Sequence, residues 1–260
     1  AMAMGMLNDK WPMLNINKKS WDKYLIFSIY HLALVILFFI VLLFTRSRSG
    51  LLGFAAADAV FWGCILLKNR DFSRLRFPFI ILHLAFGIII FLNGTSIGSI
   101  TGKVSLKEAT PSATVAPLLE TGGTESGTIR KFVWQGAVSA WQSSTKTILI
   151  GTGTETFAFA FYQFKPKEHN LTSEWDFLYN KAHNEYLNYL ATTGIFGLGT
   201  YLLLIVSFVW WFGKNVKKQS ALNVALFSGY VSILVTNFFG FSVVILQVFL
   251  FLFPAMVIVS

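Results

Sequence analysis

An all-α integral membrane protein is the fold class this sequence predicts, and three observations carry it. Hydrophobic residues make up 55% of the chain and charged residues only 13%, with 27 phenylalanines, a balance far from that of a soluble domain. Six apolar runs approach the roughly 20 residues an α-helix needs to cross a bilayer core. None of them alternates with period two, so they are helices and not barrel strands.

In order, the runs fall at 24–44, 51–67, 77–91, 195–212, 221–238 and 243–259, the third being the shortest. Cys64, the sole cysteine, sits inside the second run, so no intrachain disulfide can form. Residues 1–6 lack the charged start and apolar core of a signal peptide, and the chain is expected to be a fragment with further helices outside it. The expected layout is 1–93 for the start and first three helices, 94–182 for one large loop, and 183–260 for the rest.

The net charge of +9 is distributed as a membrane-orientation signal and does not call for nucleic acid. Lys18, Lys19 and Lys23 precede the first run, Lys68, Arg70, Arg74 and Arg76 follow the second, and Lys214, Lys217 and Lys218 follow the fourth. Those three segments are expected to be cytoplasmic. The turn 45–50 and the loop 94–182 then face outside, and the loop's eight Lys and Arg against seven Asp and Glu suit export. Arg46 and Arg48 stand out, because positive charge is sparse in external turns. Each can snorkel to lipid head groups or form an anion site.

The loop changes character along its length. Residues 101–127 are rich in Thr, Ser, Gly, Pro and Ala and show no helical period. From Ser126, Ile129, Phe132, Val133, Ala137, Ala140 and Trp141 recur at three-to-four spacing, which predicts an amphipathic helix near the membrane surface with Arg130 in its first turn. Gly151-Thr152-Gly153 predicts a turn into a short helix carrying Phe157, Phe161 and Phe164, ended by Lys165-Pro166-Lys167. A phosphate cradle at these glycines would want a preceding strand or a P-loop lysine, so ordinary turn chemistry is the better reading.

His183 is the candidate for chemistry, a titratable group where the polar stretch meets the fourth run. A helix capped by Asn180 would put His183 in its first turn, with Tyr186, Leu187 and Leu190 on the same face. The positive helix terminus and a nearby arginine would disfavour the imidazolium and leave a neutral base. The alternative is a histidine that caps its helix. His31 and His83 are expected to be packed within helices, His169 to sit in a polar loop, and Asp58 to pair with another helix. Glu174 and Asp176 have the spacing of a divalent-metal pair, the rival to a metal-free site.

Taken together, His183-Asn184 followed by Gly194-Ile195-Phe196-Gly197, the Thr45-Arg46-Ser47-Arg48-Ser49 turn, Gly127-Thr128-Ile129-Arg130 with Val133-Trp134, and the Gly151–Gly153 turn form an ordered set. Over about Leu32 to Phe212 this set resembles the O-antigen ligase and polymerase superfamily. The resemblance implies the C-terminal catalytic half of a GT-C-like membrane fold in the bacterial inner membrane, with its site on the external, periplasmic face. It implies an inverting, metal-independent glycosyltransferase with no cofactor, moving a glycan from an undecaprenyl diphosphate carrier to a lipid, glycan or protein acceptor. His183, Arg130 and Arg48 would be catalytic, and Arg46, Lys181, Asn184 and Tyr186 would contact substrate. A lipid or sugar transporter, with Asp58, His31 and His83 as a polar pathway, is the competitor from another class.

Overall fold

The computed structural model describes residues 18–45, 47–68, 81, 83, 85 and 125–260. Among these, every regular element is helical. In chain order they are α1 (Lys18–Phe44), α2 (Arg48–Lys68), α3 (Glu125–Trp141), α4 (Thr145–Ile150), α5 (Phe157–Phe164), α6 (Glu185–Asn215), α7 (Ala221–Phe239) and α8 (Val244–Val259). Short 3-10 turns at Lys167–Leu171 and Val216–Lys218 complete them.

The protein is an all-α membrane protein. Ser49–Lys68, Glu185–Lys218 and Ala221–Phe239 are long and apolar enough to cross a bilayer, and Leu32–Phe44 and Val244–Val259 are shorter apolar helices. The expected run 77–91 lies outside the described residues except at positions 81, 83 and 85, which are helical. There His83 Nε2 meets Asp58 Oδ2 at 2.7 Å, so the intramembrane carboxylate is paired with another helix as expected.

The turn after α1 is tighter than the expected span 45–50. Ser47 Oγ accepts a hydrogen bond from the Gly50 amide at 3.1 Å, capping α2 so that Arg48 is its first residue. From there α2 runs antiparallel to α7. At one end Gly53 approaches Ser232 and Thr236 so closely that a Cβ would collide with their side chains; at the other Lys68 Nζ donates to Gln219 O at 2.8 Å. Small residues at a crossing let helix backbones approach in a membrane, where dispersion replaces the hydrophobic drive. The rest of the bundle core is aromatic. Phe212 stacks on Phe227 at 3.8 Å, Phe208 meets Tyr230 edge-on at 5.0 Å, and Trp62, Ile205, Leu250 and Val257 fill around them.

A second core lies beside the bundle. The apolar stripe of α3 buries Ile129, Val133 and Ala137 against Phe157 and Phe161 of α5, Tyr179, Ala182 and Ala191. Thus the predicted amphipathic helix forms, with its apolar face covered by α5 and the start of α6. We call residues 125–193 the cap.

Cap and bundle meet in α6, which is two helices joined at a kink. Gly194 there has φ 64° and ψ −166°. The Gly151 turn, φ 72°, lies directly against it. A Cβ on Gly151 would overlap the Thr192 backbone, and one on Gly194 would overlap the backbone of Leu149 and Ile150. Two amides of the turn satisfy carbonyls freed by the break: Thr152 N donates to Ala191 O and Gly153 N to Thr192 O, each at 2.9 Å. The glycine turn is therefore a backbone joint, with its amides spent on α6 and not on an anion.

Candidate functional site

Asn184, not Asn180, caps α6. Its side-chain oxygen accepts from Leu187 N at 3.0 Å, and the helix proper starts at Glu185. The expectation of a helix from Asn180 with His183 in its first turn is corrected accordingly: His183 stands just before the cap. The reason is local. His183 takes the left-handed conformation, φ 51°, which histidine tolerates better than most residues and which turns the chain before the helix can begin. Asn188 reinforces the turn by accepting from Ala182 N at 3.3 Å.

The His183 imidazole is half-buried between two rings, edge-on to Tyr179 at 5.6 Å and to Phe241 at 5.2 Å. Burial holds its pKa below the ordinary histidine value, and the Arg130 guanidinium acts in the same direction, while Glu174 opposes them. A neutral imidazole at neutral pH follows. The charge of Arg130, one and a half turns into α3, acts on His183, and their chain neighbours Ile129 and Ala182 share the cap core. Trp134, one turn further along α3, rests edge-on against Phe238 of α7 at 5.9 Å.

The other predicted residues are placed as follows. Arg46 lies outside the described residues, as does the side chain of Arg48. The backbone of Arg48 opens α2 at the end of the bundle where α7 runs out toward Phe241, the His183 end. Lys181 pairs with Glu155 at 2.6 Å. Asn184 is buried and spent on its cap. The Tyr186 hydroxyl donates to Leu234 O at 3.0 Å, tying α6 to α7. Glu174, half of the acidic pair, accepts the Tyr179 hydroxyl, whose own pKa is pushed up by burial and by that carboxylate.

Sequence reasoning missed three groups. Tyr179 and Phe241, which sandwich His183, come from a loop and an interhelical turn that carry no motif. Glu185 is buried at 4% exposure and accepts from Ser242 N at 3.0 Å and Gln247 Nε2 at 2.8 Å. A carboxylate one residue into an apolar helix was the available signal. It binds the start of α6 to the turn that carries Phe241. His169, expected in a polar loop, is instead fully buried, edge-on to Phe161 and Tyr179 at 5.4 Å each, and neither ring nitrogen has a hydrogen-bond partner among the described residues.

Fold and site together define a polytopic α-helical membrane protein with a polar cluster at one mouth of the helix bundle. The chain belongs to the O-antigen ligase family: the family described as O-Antigen ligase matches residues 33–202, from within α1 to past the Gly194 kink. The matched segment holds Arg48, Arg130 and His183 as well as both halves of the glycine joint. No curated protein and no solved structure matches the chain.

Proposed function

We propose that this chain is an inverting glycosyltransferase that works without a metal, carrying a glycan from undecaprenyl diphosphate to an acceptor hydroxyl on the external face of the bacterial inner membrane. The observation that supports the reading is a half-buried His183 whose turn packs, through Ala182, on the same core as Ile129 beside Arg130: a base kept neutral by burial, near a cation suited to diphosphate. In the step proposed, the acceptor oxygen attacks the anomeric carbon as its proton passes to the free imidazole nitrogen. The bond from that carbon to the diphosphate oxygen breaks on the opposite face, which inverts the configuration. Undecaprenyl diphosphate leaves with the bonding electrons.

Arginine forks match phosphate oxygens two at a time, and stabilising a departing charge is usually the largest contribution. Arg130 is assigned to the leaving diphosphate, and Arg48 joins it. A cation in the first turn works against its own helix dipole, so Arg48 costs α2 stability unless an anion sits there. Arg46 would flank it. The polar groups of Asn184 and Tyr186 are engaged within the fold, so their support for substrate is indirect, through the placement of His183.

Transfer from a lipid-diphosphate glycan, followed in reconstituted membranes, tests the assignment. His183→Ala is expected to lower kcat by about 10²–10⁴ and Arg130→Ala by about 10²–10³, with membrane insertion intact. Full activity in both variants removes the mechanism. Loss of activity on adding a chelator returns Glu174 and Asp176 as metal ligands. Whether the acceptor is a lipid, a growing glycan or a protein separates ligase from polymerase, and the same assay with each acceptor decides it.

A further inference from the structure

The cap carries an apolar rim that its own core does not cover. α3, the helix expected at the membrane surface, turns its apolar face inward onto α5 and α6. α5 is apolar on both sides: Phe157, Ala160 and Phe161 enter the cap core, while Phe159 and Tyr162 point outward at 74% and 76% exposure. A helix apolar all round is one whose second face also leaves water.

The rim is continuous. Lys165, just after α5, donates to Trp175 O at 3.0 Å and lies over the Tyr162 ring at 5.9 Å, so the loop with the exposed Trp175 borders the outer face of α5. At the other end α4 buries none of its residues: Leu149 and Ile150 are exposed, and their backbone lies against Gly194. The next residues of α6, Ile195 and Phe196, are exposed where that helix becomes an apolar, bilayer-spanning segment. The rim thus joins the lipid-facing surface of the bundle at the Gly151 and Gly194 contact.

The composition of the rim selects its occupant. Aromatic and aliphatic side chains with a lysine among them are those of the boundary between head groups and acyl chains, where a ring has one apolar and one wet side. Exposed apolar patches of this kind mark an interaction surface. Charge is balanced, with Lys165 and Lys167 against Glu168 and Asp176, so apolar area and not attraction to anionic lipid has to hold the rim.

We propose that this rim is a membrane-surface anchor: Leu149, Ile150, Phe159, Tyr162 and Trp175 lie among the head groups and upper acyl chains of the leaflet at the cap end of the bundle, with Lys165 at the level of the phosphates. The partner is the bilayer itself. Tyr179, whose ring meets His183 edge-on at 5.6 Å, follows four residues after Trp175 in the same loop. The lipid surface thereby steadies one wall of the imidazole, whatever reaction the imidazole serves.

The test uses the full chain carrying Cys64→Ser, in lipid nanodiscs, with one nitroxide at a time on a cysteine introduced at position 142, 150, 159, 175 or 206. Collision with oxygen, which concentrates in acyl chains, is compared with collision with a water-soluble nickel chelate. Val206, exposed in the spanning part of α6, reports lipid, and Gln142, exposed just after α3, reports water. The oxygen-to-nickel ratio at 150, 159 and 175 is expected to be about fivefold or more above that at 142 and close to that at 206. It should differ by less than about twofold between zwitterionic nanodiscs and nanodiscs rich in anionic lipid. A ratio at 159 and 175 equal to that at 142 places the rim in water and overturns the anchor. Low collision with both probes means that a protein covers the rim, and a ratio lost when anionic lipid is withdrawn means that charge holds it; either result also overturns the proposal. The labelled positions are exposed, which spares the cap core, and the readout is independent of transfer activity.

Discussion

The cap and the bundle are held together in different ways. In the cap, main chain lies on main chain: Gly151 and Gly194 bring α4 and α6 closer than any side chain would permit, and Ala137, Ala182 and Ala191 fill what remains. In the bundle, large rings interlock, as Phe208, Phe212, Phe227 and Tyr230 do between α6 and α7. Ring packing can rearrange by rotamer, whereas two backbones in contact have nowhere to go. The region that carries His183 is therefore the less forgiving one, although it contains fewer large apolar side chains.

The sharpest way to break the comparison is at the joint. Gly151→Ala or Gly194→Ala adds a collision to a left-handed strain, and each should cost about 3–5 kcal/mol and abolish transfer. Gly199→Ala, in the same α6 with open space around it, should be neutral or stabilise by up to about 1 kcal/mol. Thermal unfolding of the detergent-solubilised variants distinguishes these outcomes; equal effects would dissolve the distinction drawn between joint and helix.

Acid should act on the cap before the bundle. His183 and His169 both have pKa values held down by burial, so the native state binds fewer protons than the unfolded state just below pH 6.5. Their contribution is fully present above the unfolded value and is lost as pH falls through it to the lower native values. Hydrogen exchange at pH 7 and pH 5 should show the cap losing protection first. The acid limb of transfer activity should lie below the value for free histidine, and Glu174→Gln, which removes the opposing charge, should move it lower still. A limb that rises in Glu174→Gln would contradict the electrostatic account.

Next in size, His169→Phe keeps the ring and removes two buried unpartnered nitrogens, and should stabilise the cap by about 1–3 kcal/mol while blunting its acid sensitivity. Smallest is Phe227→Leu in the bundle, a swap that interlocking rings can absorb for less than about 1.5 kcal/mol despite the lost stack on Phe212. Melting curves for both variants place the two cores on one scale.

Much of the bundle was legible because a bilayer demands long apolar runs, and a run such as 221–238 announces α7 with no tertiary knowledge. His183 and Arg130 were legible as a polar group at a helix mouth and a cation on a patterned helix. What escaped depends on partners distant in sequence. Asn180 and Asn184 are both acceptable caps, and the choice falls to Asn184 through the left-handed His183 and the grip of Glu185 on the turn after α7. The Gly151 turn looked like ordinary turn chemistry, and only its contact with Gly194 shows why each glycine is required. The exception is α4, whose signal is local: Ser144 and Thr147, three residues apart, cap it reciprocally, but the helix is only six residues long and has no apolar period to announce it.

A break in a helix at the edge of hydrocarbon is tolerable only where the freed carbonyls find donors, and here Thr152 and Gly153 supply them at one fixed position along α6. The joint thus acts as a fixed stop. The nine helical residues from Glu185 to Thr193 separate the His183 turn from the Gly194 kink by about 14 Å of helix, so inserting or deleting a residue between them would turn the imidazole about 100° around the α6 axis relative to the joint.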